Sequence, residues 1–475
     1  MPIVAIHAVR KLCTTQNPAA ASRSAEVSDT TADLEKTGQV LPFSSLYVSG
    51  KYLSQMRPIL RPHIDLEELV SEPRISMLEE SIAKRDLLKD DSHIDLSQLV
   101  ARIRMLIAAN KKLSALQQQY EVLHTKLFKD KEKVPTDTYI VQLKELKAEV
   151  KELQSQVWPL EEEIMPQILS LPNVLSKEVP VPTEEVVLRS KNRRTTKKLF
   201  KMLDHVKLSY INESVYGSIA GPSSVYYVGQ MAKLHILATK SIVSILRRNN
   251  FIDVTGLDFI KSAVIEASNS KNERHYRLDP LRIDRGSDSG VSSNQQMHLV
   301  GNASLEALCT TLIKLLPSAS TSSSELPKAM KKPRLFSSGC NYQSNASLPR
   351  QYHTVQGLSL VFGVDEAVSE MNDLLDVLWS FYEQFDVACR VIKCNSSQLA
   401  DNEYEANVIE VWMPSRGDFV PAGRISNYTD YLPNRLGKKN SFFVGCSLDI
   451  DQLISILVEN YQDENGKIVL PQELT

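Results

Sequence analysis

The sequence predicts an α+β protein, in which an N-terminal antiparallel coiled-coil arm precedes a body built on a mainly antiparallel β-sheet flanked by helices. Three observations predict it. Two long stretches carry apolar residues at alternating steps of three and four. The segment between them is charged and holds a proline, and the remainder mixes helical periodicity with β-rich runs.

Residues 1–40 read as a mitochondrial transit peptide with an adjoining disordered segment. Arg10, Lys11 and Arg23 stand among Ser and Thr, with no acid before Glu26. An ordinary N-terminal tail is the other reading. The arm spans 60–175. Short helical pieces between Asp65 and Lys89 lead into a seam of Leu99, Ile103, Leu106, Leu113, Leu116, Tyr120, Leu123 and Leu127, which lie on one helix face. KDKEKVPTDT at 129–138 is the turn, because Pro135 ends a helix. A second seam follows in Leu143, Leu146, Val150, Leu153, Val157, Leu160 and Ile164. Neither helix can bury its seam alone, so a hairpin is favoured over one long rod.

Residues 176–198 read as a linker that ends in the basic run RSKNRRTTKK. The body takes 199–475. Lys233–Arg248 and Asp365–Phe385 have helical spacing, whereas 354–362 (TVQGLSLVF) and 408–414 (VIEVWMP) read as strands. The Ser-rich and polar runs at 285–296 and 317–327 are predicted loops.

Composition narrows the functional classes. The chain has 475 residues, 42% hydrophobic and 24% charged, with a formal net charge of -2, so affinity for nucleic acid must come from local patches. No run approaches the roughly 18 apolar residues that a membrane span needs. The six cysteines are scattered without CxxC spacing, and the nine histidines form no HExxH or HxH pattern, so neither zinc nor structural disulfides are expected.

Five stretches in order resemble the seryl-tRNA synthetases, a class II aminoacyl-tRNA synthetase family. They are the hairpin with its SLPN and VP exit, GLDFIKSAVIEAS at 256–268, IEVWMPSRGDF at 409–419, SNYTDYLPNRLG at 426–437, and LVENYQDENGKIVLPQEL near the end. The resemblance implies a tRNA-binding arm on a class II catalytic body. It also implies what has changed. The FRxE run, whose Arg grips the ATP α-phosphate and whose Glu holds adenine, falls on Phe336-Ser337-Ser338-Gly339. The GR whose arginine holds the γ-phosphate falls on Asp451 and Gln452, and Asp451 would repel the nucleotide. Pro421 and Arg424 stand where a Glu and a Ser would serve the ATP-bound magnesium. The TxE triplet that receives the serine ammonium reads Asn302-Ala303-Ser304.

Adenylate formation brings a carboxylate against a polyphosphate and needs fixed positive charge and Mg²⁺ at the α-phosphate. One lost donor of this kind removes about 2.7 to 4 kcal/mol of transition-state stabilisation. The resemblance therefore implies a non-charging paralogue, as in an insect mitochondrial seryl-tRNA synthetase-like protein, with no catalytic residue and no cofactor. An active ligase using Arg350 or Arg424 in a rearranged site is the opposing reading. A purely structural partner is the third.

Basic residues mark the RNA-binding candidates. On the arm these are Lys111, Lys112, Lys126, Lys129, Lys131, Lys133, Lys144, Lys147 and Lys151; at the joint they are Arg189, Lys191, Arg193, Arg194, Lys197 and Lys198. Such residues either neutralise phosphates of a folded RNA, a tRNA-Ser-like molecule by the resemblance, or form a solvated face with Glu partners. The resemblance further implies a dimer partner, either a second copy or the mitochondrial seryl-tRNA synthetase, in the matrix. Gly256 stands at the proline of the first class II motif and puts that interface geometry in question.

Overall fold

A computed structural model describes residues 44–51, 58, 60–85, 95–129, 136–192, 201–212, 225–269, 276–277, 297–315, 333–345 and 348–474. The predicted transit segment, the two predicted loops and the middle of the predicted turn lie outside them.

Asp65 starts α1 (Leu66–Leu69) by accepting the N–H groups of Glu67 and Glu68, and a proline in the first turn starts α2 (Glu72–Lys84). Two long helices follow, α3 (Leu96–Lys129) and α4 (Thr136–Ser170). Leu99, Ile103 and Leu106 near the start of α3 pack with Val157, Ile164 and Ile168 near the end of α4, so the two run in opposite directions. The seam residues with described side chains are buried or half-buried, as their spacing demands.

The body begins with a difference from the sequence reading. Val186–Lys191, expected within the linker, forms β1, an edge strand paired antiparallel with β8 (Cys389–Lys393). Its β-branched start and open neighbouring edge outweigh the basic composition that suggested a joint. The chain continues through α5 (His205–Ile211), α6 (Gly229–Arg248), β2 (Ile252–Asp253), β3 (Phe259–Lys261), α7 (Ser262–Ser268), β4 (Tyr276–Arg277), β5 (Met297–Leu299) and α8 (Leu305–Leu315). It then forms β6 (Arg334–Asn345), β7 (Leu348–Val361), α9 (Val364–Glu383), β9 (Glu405–Met413), β10 (Asp418–Thr429), α10 (Tyr431–Arg435), β11 (Phe442–Asp449) and α11 (Ile450–Asn460), with β8 between α9 and β9.

The eight-stranded sheet has the order β1-β8-β9-β10-β11-β7-β6-β2, and of its pairs β2 with β6 is parallel. A small sheet, β3-β5-β4, stands apart. One face of the large sheet is dry: α6, α9 and α11 bury Leu234, Leu374, Phe381, Ile454 and Leu457 against Phe336, Val355, Ile409, Ile425 and Val444. The other face is covered at one end by α7, α8 and α10, through Ala263, Leu308, Leu312 and Leu432 packed on Leu335, Leu358, Leu360 and Phe443. Beyond that apolar end the same face turns polar. Among the described residues no helix is long and apolar enough to cross a membrane, and no group of three or more His, Cys, Asp or Glu is placed to hold a metal ion.

Candidate functional site

Strand alternation fixes which residues line the polar face. Phe336 packs into the helix-covered core, so Ser337 and Gly339 project to the other side. Cross-strand register then puts Ser337 beside Gln356, Gln356 beside Ser447, and Ser447 beside Arg424. A second row runs from Gly339 through Thr354 to Asp449.

The cation of the first row is already used. Arg424 Nε donates to Glu403 Oε1 at 2.8 Å, a second guanidinium nitrogen bonds the other carboxylate oxygen, and Nη2 reaches the Gln398 carbonyl at 3.0 Å. Ser426 Oγ donates to the same Glu403 Oε1 at 2.5 Å. Burial pushes the Glu403 carboxyl up, but Arg424, Ser426 and the Ala400 N–H together hold it below the usual range. Burial likewise opposes the charge on Arg424, and Glu403 overrides it and raises that pKa. The Arg424 fork is thus occupied by a buried carboxylate.

Arg350, the other alternative, stands four residues before Thr354 on β7, exposed, with its guanidinium 5.2 Å from the Tyr352 ring centre. Pro421 is an exposed β10 residue opposite Glu410 and offers no ligand oxygen from its side chain.

The loop carrying Asn302-Ala303-Ser304 lies down on β6. Ala303 N–H donates to the Cys340 carbonyl at 3.2 Å, Tyr342 N–H to the Val300 carbonyl at 3.0 Å, and Thr354 Oγ1 to the Ala303 carbonyl at 3.1 Å. Three glycines permit this approach. A Cβ on Gly256 would overlap the Asn302 carbonyl, one on Gly301 (φ +91°) would overlap the Cys340 carbonyl, and one on Gly339 would overlap the Asn302 carboxamide. Asn302 thus occupies the space into which a side chain at 339 would grow. Gly256 is explained by the same contact. Ser304 is buried and accepts the Ala307 N–H at 3.2 Å, capping α8. Ser337 Oγ and Asn302 Oδ1 are buried without a hydrogen-bond partner among the described residues.

Asp451 does not face this surface, contrary to expectation. Its Oδ1 accepts from Tyr227 OH at 2.9 Å and its Oδ2 from the His353 N–H at 2.8 Å, which ties α11 to β7. The carboxyl beside Thr354 is Asp449, which caps α11 by accepting the Gln452 N–H at 2.9 Å. Burial raises its pKa against that bond. Sequence reasoning passed over Asp449 and Glu403. The Asp-x-x-Gln spacing before an apolar run was a usable sign of the cap, whereas nothing in the spacing links Glu403 to Arg424.

The basic candidates divide. Arg189 pairs with Asp376 at 2.6 Å, and Lys191 Nζ donates to the Glu383 carbonyl at 2.7 Å and to that of Phe385, so both have partners at the sheet edge. Lys111 pairs with Glu67 at 2.8 Å. Lys112, Lys144, Lys147 and Lys151 are exposed and form no ion pair among the described residues. The last three fall within two turns of α4, which groups them on its surface. Lys126 and Lys129 belong to α3. Lys131, Lys133, Arg193, Arg194, Lys197 and Lys198 lie outside the described residues.

No protein-family model matches the chain. It is 25% identical over 417 residues to the serine–tRNA synthetase-like protein Slimp of Drosophila melanogaster, covering 83% of this chain and 82% of that one. It is 21% identical over 429 residues to the mitochondrial serine–tRNA ligase of Saccharomyces cerevisiae, covering 87% and 94%. The seryl-tRNA synthetase of Pyrococcus horikoshii complexed with ATP superposes with a TM-score of 0.68 at 16% identity, over 86% of this chain and 97% of that one. The fold is that of a seryl-tRNA synthetase. The resemblance read from the motifs is thereby supported along most of the chain.

Proposed function

We propose that this chain is a non-charging relative of the mitochondrial seryl-tRNA synthetases. Its helix pair acts as a coiled-coil arm that binds RNA, a tRNA first of all, while its body associates with a second copy or with the charging synthetase. The observation that carries the reading is the row Ser337–Gln356–Ser447–Arg424, whose cation is closed off by Glu403. Such a row holds no free positive charge for a polyphosphate, and phosphoryl chemistry without fixed cations or a metal is not accelerated. Asn302 over Gly339 supports it sterically. The N-terminal composition and the mitochondrial ligase among the similar proteins support a mitochondrial, matrix location.

Exposed lysines on α4 supply the RNA side. Neutralised phosphates release counterions, so affinity should fall steeply with salt. A gel-shift series with mitochondrial tRNAs at rising salt tests this. Binding at low salt with a steep log–log slope, and a shallower slope in the Lys144→Glu, Lys147→Glu, Lys151→Glu variant, is expected. Absence of binding at low salt would leave the body as a protein-only scaffold.

A further inference from the structure

The joint between helix pair and body holds two buried arginines that make no ion pair among the described residues. Arg435, on α10 of the body, donates from Nη1 to the Leu169 carbonyl at 2.6 Å and from Nη2 to the Leu171 carbonyl at 3.1 Å, and it stacks 4.1 Å from the Tyr431 ring centre. Arg85, at the end of α2, donates to the carbonyls of Ala400 at 2.7 Å, Glu403 at 2.6 Å and Leu399 at 3.2 Å. The two reach across the joint in opposite directions. Around them Tyr431 OH donates to the Leu171 carbonyl at 2.5 Å, and Asn269 Nδ2 donates to Tyr431 OH at 2.8 Å. Burial pushes both guanidinium pKa values down.

A buried guanidinium that bonds carbonyls, with carboxylates near but not paired to it, is a costly way to hold two apolar bodies together, since methylenes of equal volume would do so at less desolvation. What it adds is direction. Leu169 and Leu171 sit at the end of α4, where carbonyls lack intrahelical partners and the helix dipole favours a cation, so the planar fork of Arg435 sets where that axis points. Packing alone does not set it on one side, because a cavity of about 670 Å³, lined by Leu69, Leu78, Ile168 and Phe442 among others, opens beside the clamp.

We infer that Arg435 and Arg85 are positioning residues that fix the direction of the helix pair, and with it the α4 lysines, relative to the body. The lysines enter through the RNA-binding reading, and the test separates that reading from the clamp. Spin labels at Ser155→Cys on α4 and Asn372→Cys on α9, with Cys13 and Cys340 replaced by serine, report the interval by double electron–electron resonance. The parent should give one narrow distance distribution, and Arg435→Met a broad one well below its melting temperature. Arg435→Lys, which keeps the charge without the fork, should fall between the two. If Arg435→Met does not fold, Tyr431→Phe broadens the same distribution to a lesser degree. A folded Arg435→Met or Tyr431→Phe variant whose distribution superposes on the parent overturns the inference. Should the parent bind no RNA, the distances still decide the clamp on their own.

Discussion

At the joint, Asn173 Nδ2 donates to the carbonyls of Asn402 and Tyr428 at 3.1 Å each, and its own N–H reaches the Asp401 carbonyl at 2.7 Å. On the sheet face, Ser337 Oγ and Asn302 Oδ1 are buried too, yet neither has a partner among the described residues. Both regions lie in the segments that resemble seryl-tRNA synthetases. In the first, both donor groups of Asn173 are matched. The second carries two unmatched oxygens and a guanidinium bonded to a buried carboxylate.

Glu403 belongs to both regions, because its carbonyl accepts from Arg85 while its side chain holds Arg424. Glu403→Gln leaves the half-buried Arg424 without a counter-charge and should lower stability by about 3 kcal/mol, read as a reduced urea midpoint. A loss below about 1 kcal/mol would mean that Arg424 is free to serve elsewhere. The same pair gives the acid limb of the stability profile. The folded carboxyl is held below its unfolded value, so its contribution is full above the usual carboxylate range and disappears as pH falls through the lowered one.

Asn173→Ala strands two carbonyls at the joint and should cost about 2 kcal/mol in the same assay. A change within experimental noise would show that the joint is held by its apolar contacts alone.

The helix-covered side supplies a pH handle near neutrality. His235 and His353 meet edge-on at 4.6 Å, with Tyr227 and Asp451 beside them. Burial depresses both imidazoles below 6.5, each histidine's charge would disfavour the other's, and Asp451 opposes the shift. The folded chain thus binds fewer protons than the unfolded chain as pH drops, so stability is full above about 6.5 and declines below it. His353→Phe should flatten the melting-temperature profile between pH 7 and the depressed value. A profile as steep as the parent's would place the slope elsewhere.

Ser337→Ala should have the smallest effect and the opposite sign to Asn173→Ala. Removing a buried hydroxyl that has no partner leaves stability unchanged or raises it by up to about 1 kcal/mol. A clear loss would reveal a hydrogen bond the sheet face depends on.

The elements that were legible in the sequence are those with strong periodicity. Helices α6 and α9 lie within four residues of the boundaries that spacing predicts at 233 and 365, and strands β7 and β9 cover the predicted apolar runs to within one residue. β1 was hidden because six basic residues in ten look like a linker, and only a partner strand two hundred residues away shows that Val186–Lys191 pairs. The sequence could offer the site only as a set of motif positions, not their contacts. The Arg424–Glu403 bond spans two strands' worth of chain, and Asp451 turns away from the polar face because Tyr227 and the β7 backbone satisfy it, facts of packing that no local pattern encodes.

Isothermal titration of the folded protein with Mg-ATP, with and without serine, addresses the central claim. With no free cation on the row from Ser337 to Arg424, the account predicts no saturable heat for ATP and no serine-dependent exchange of pyrophosphate into ATP. Saturable Mg-ATP binding that is abolished by Arg424→Ala, in a variant that remains folded, would contradict it.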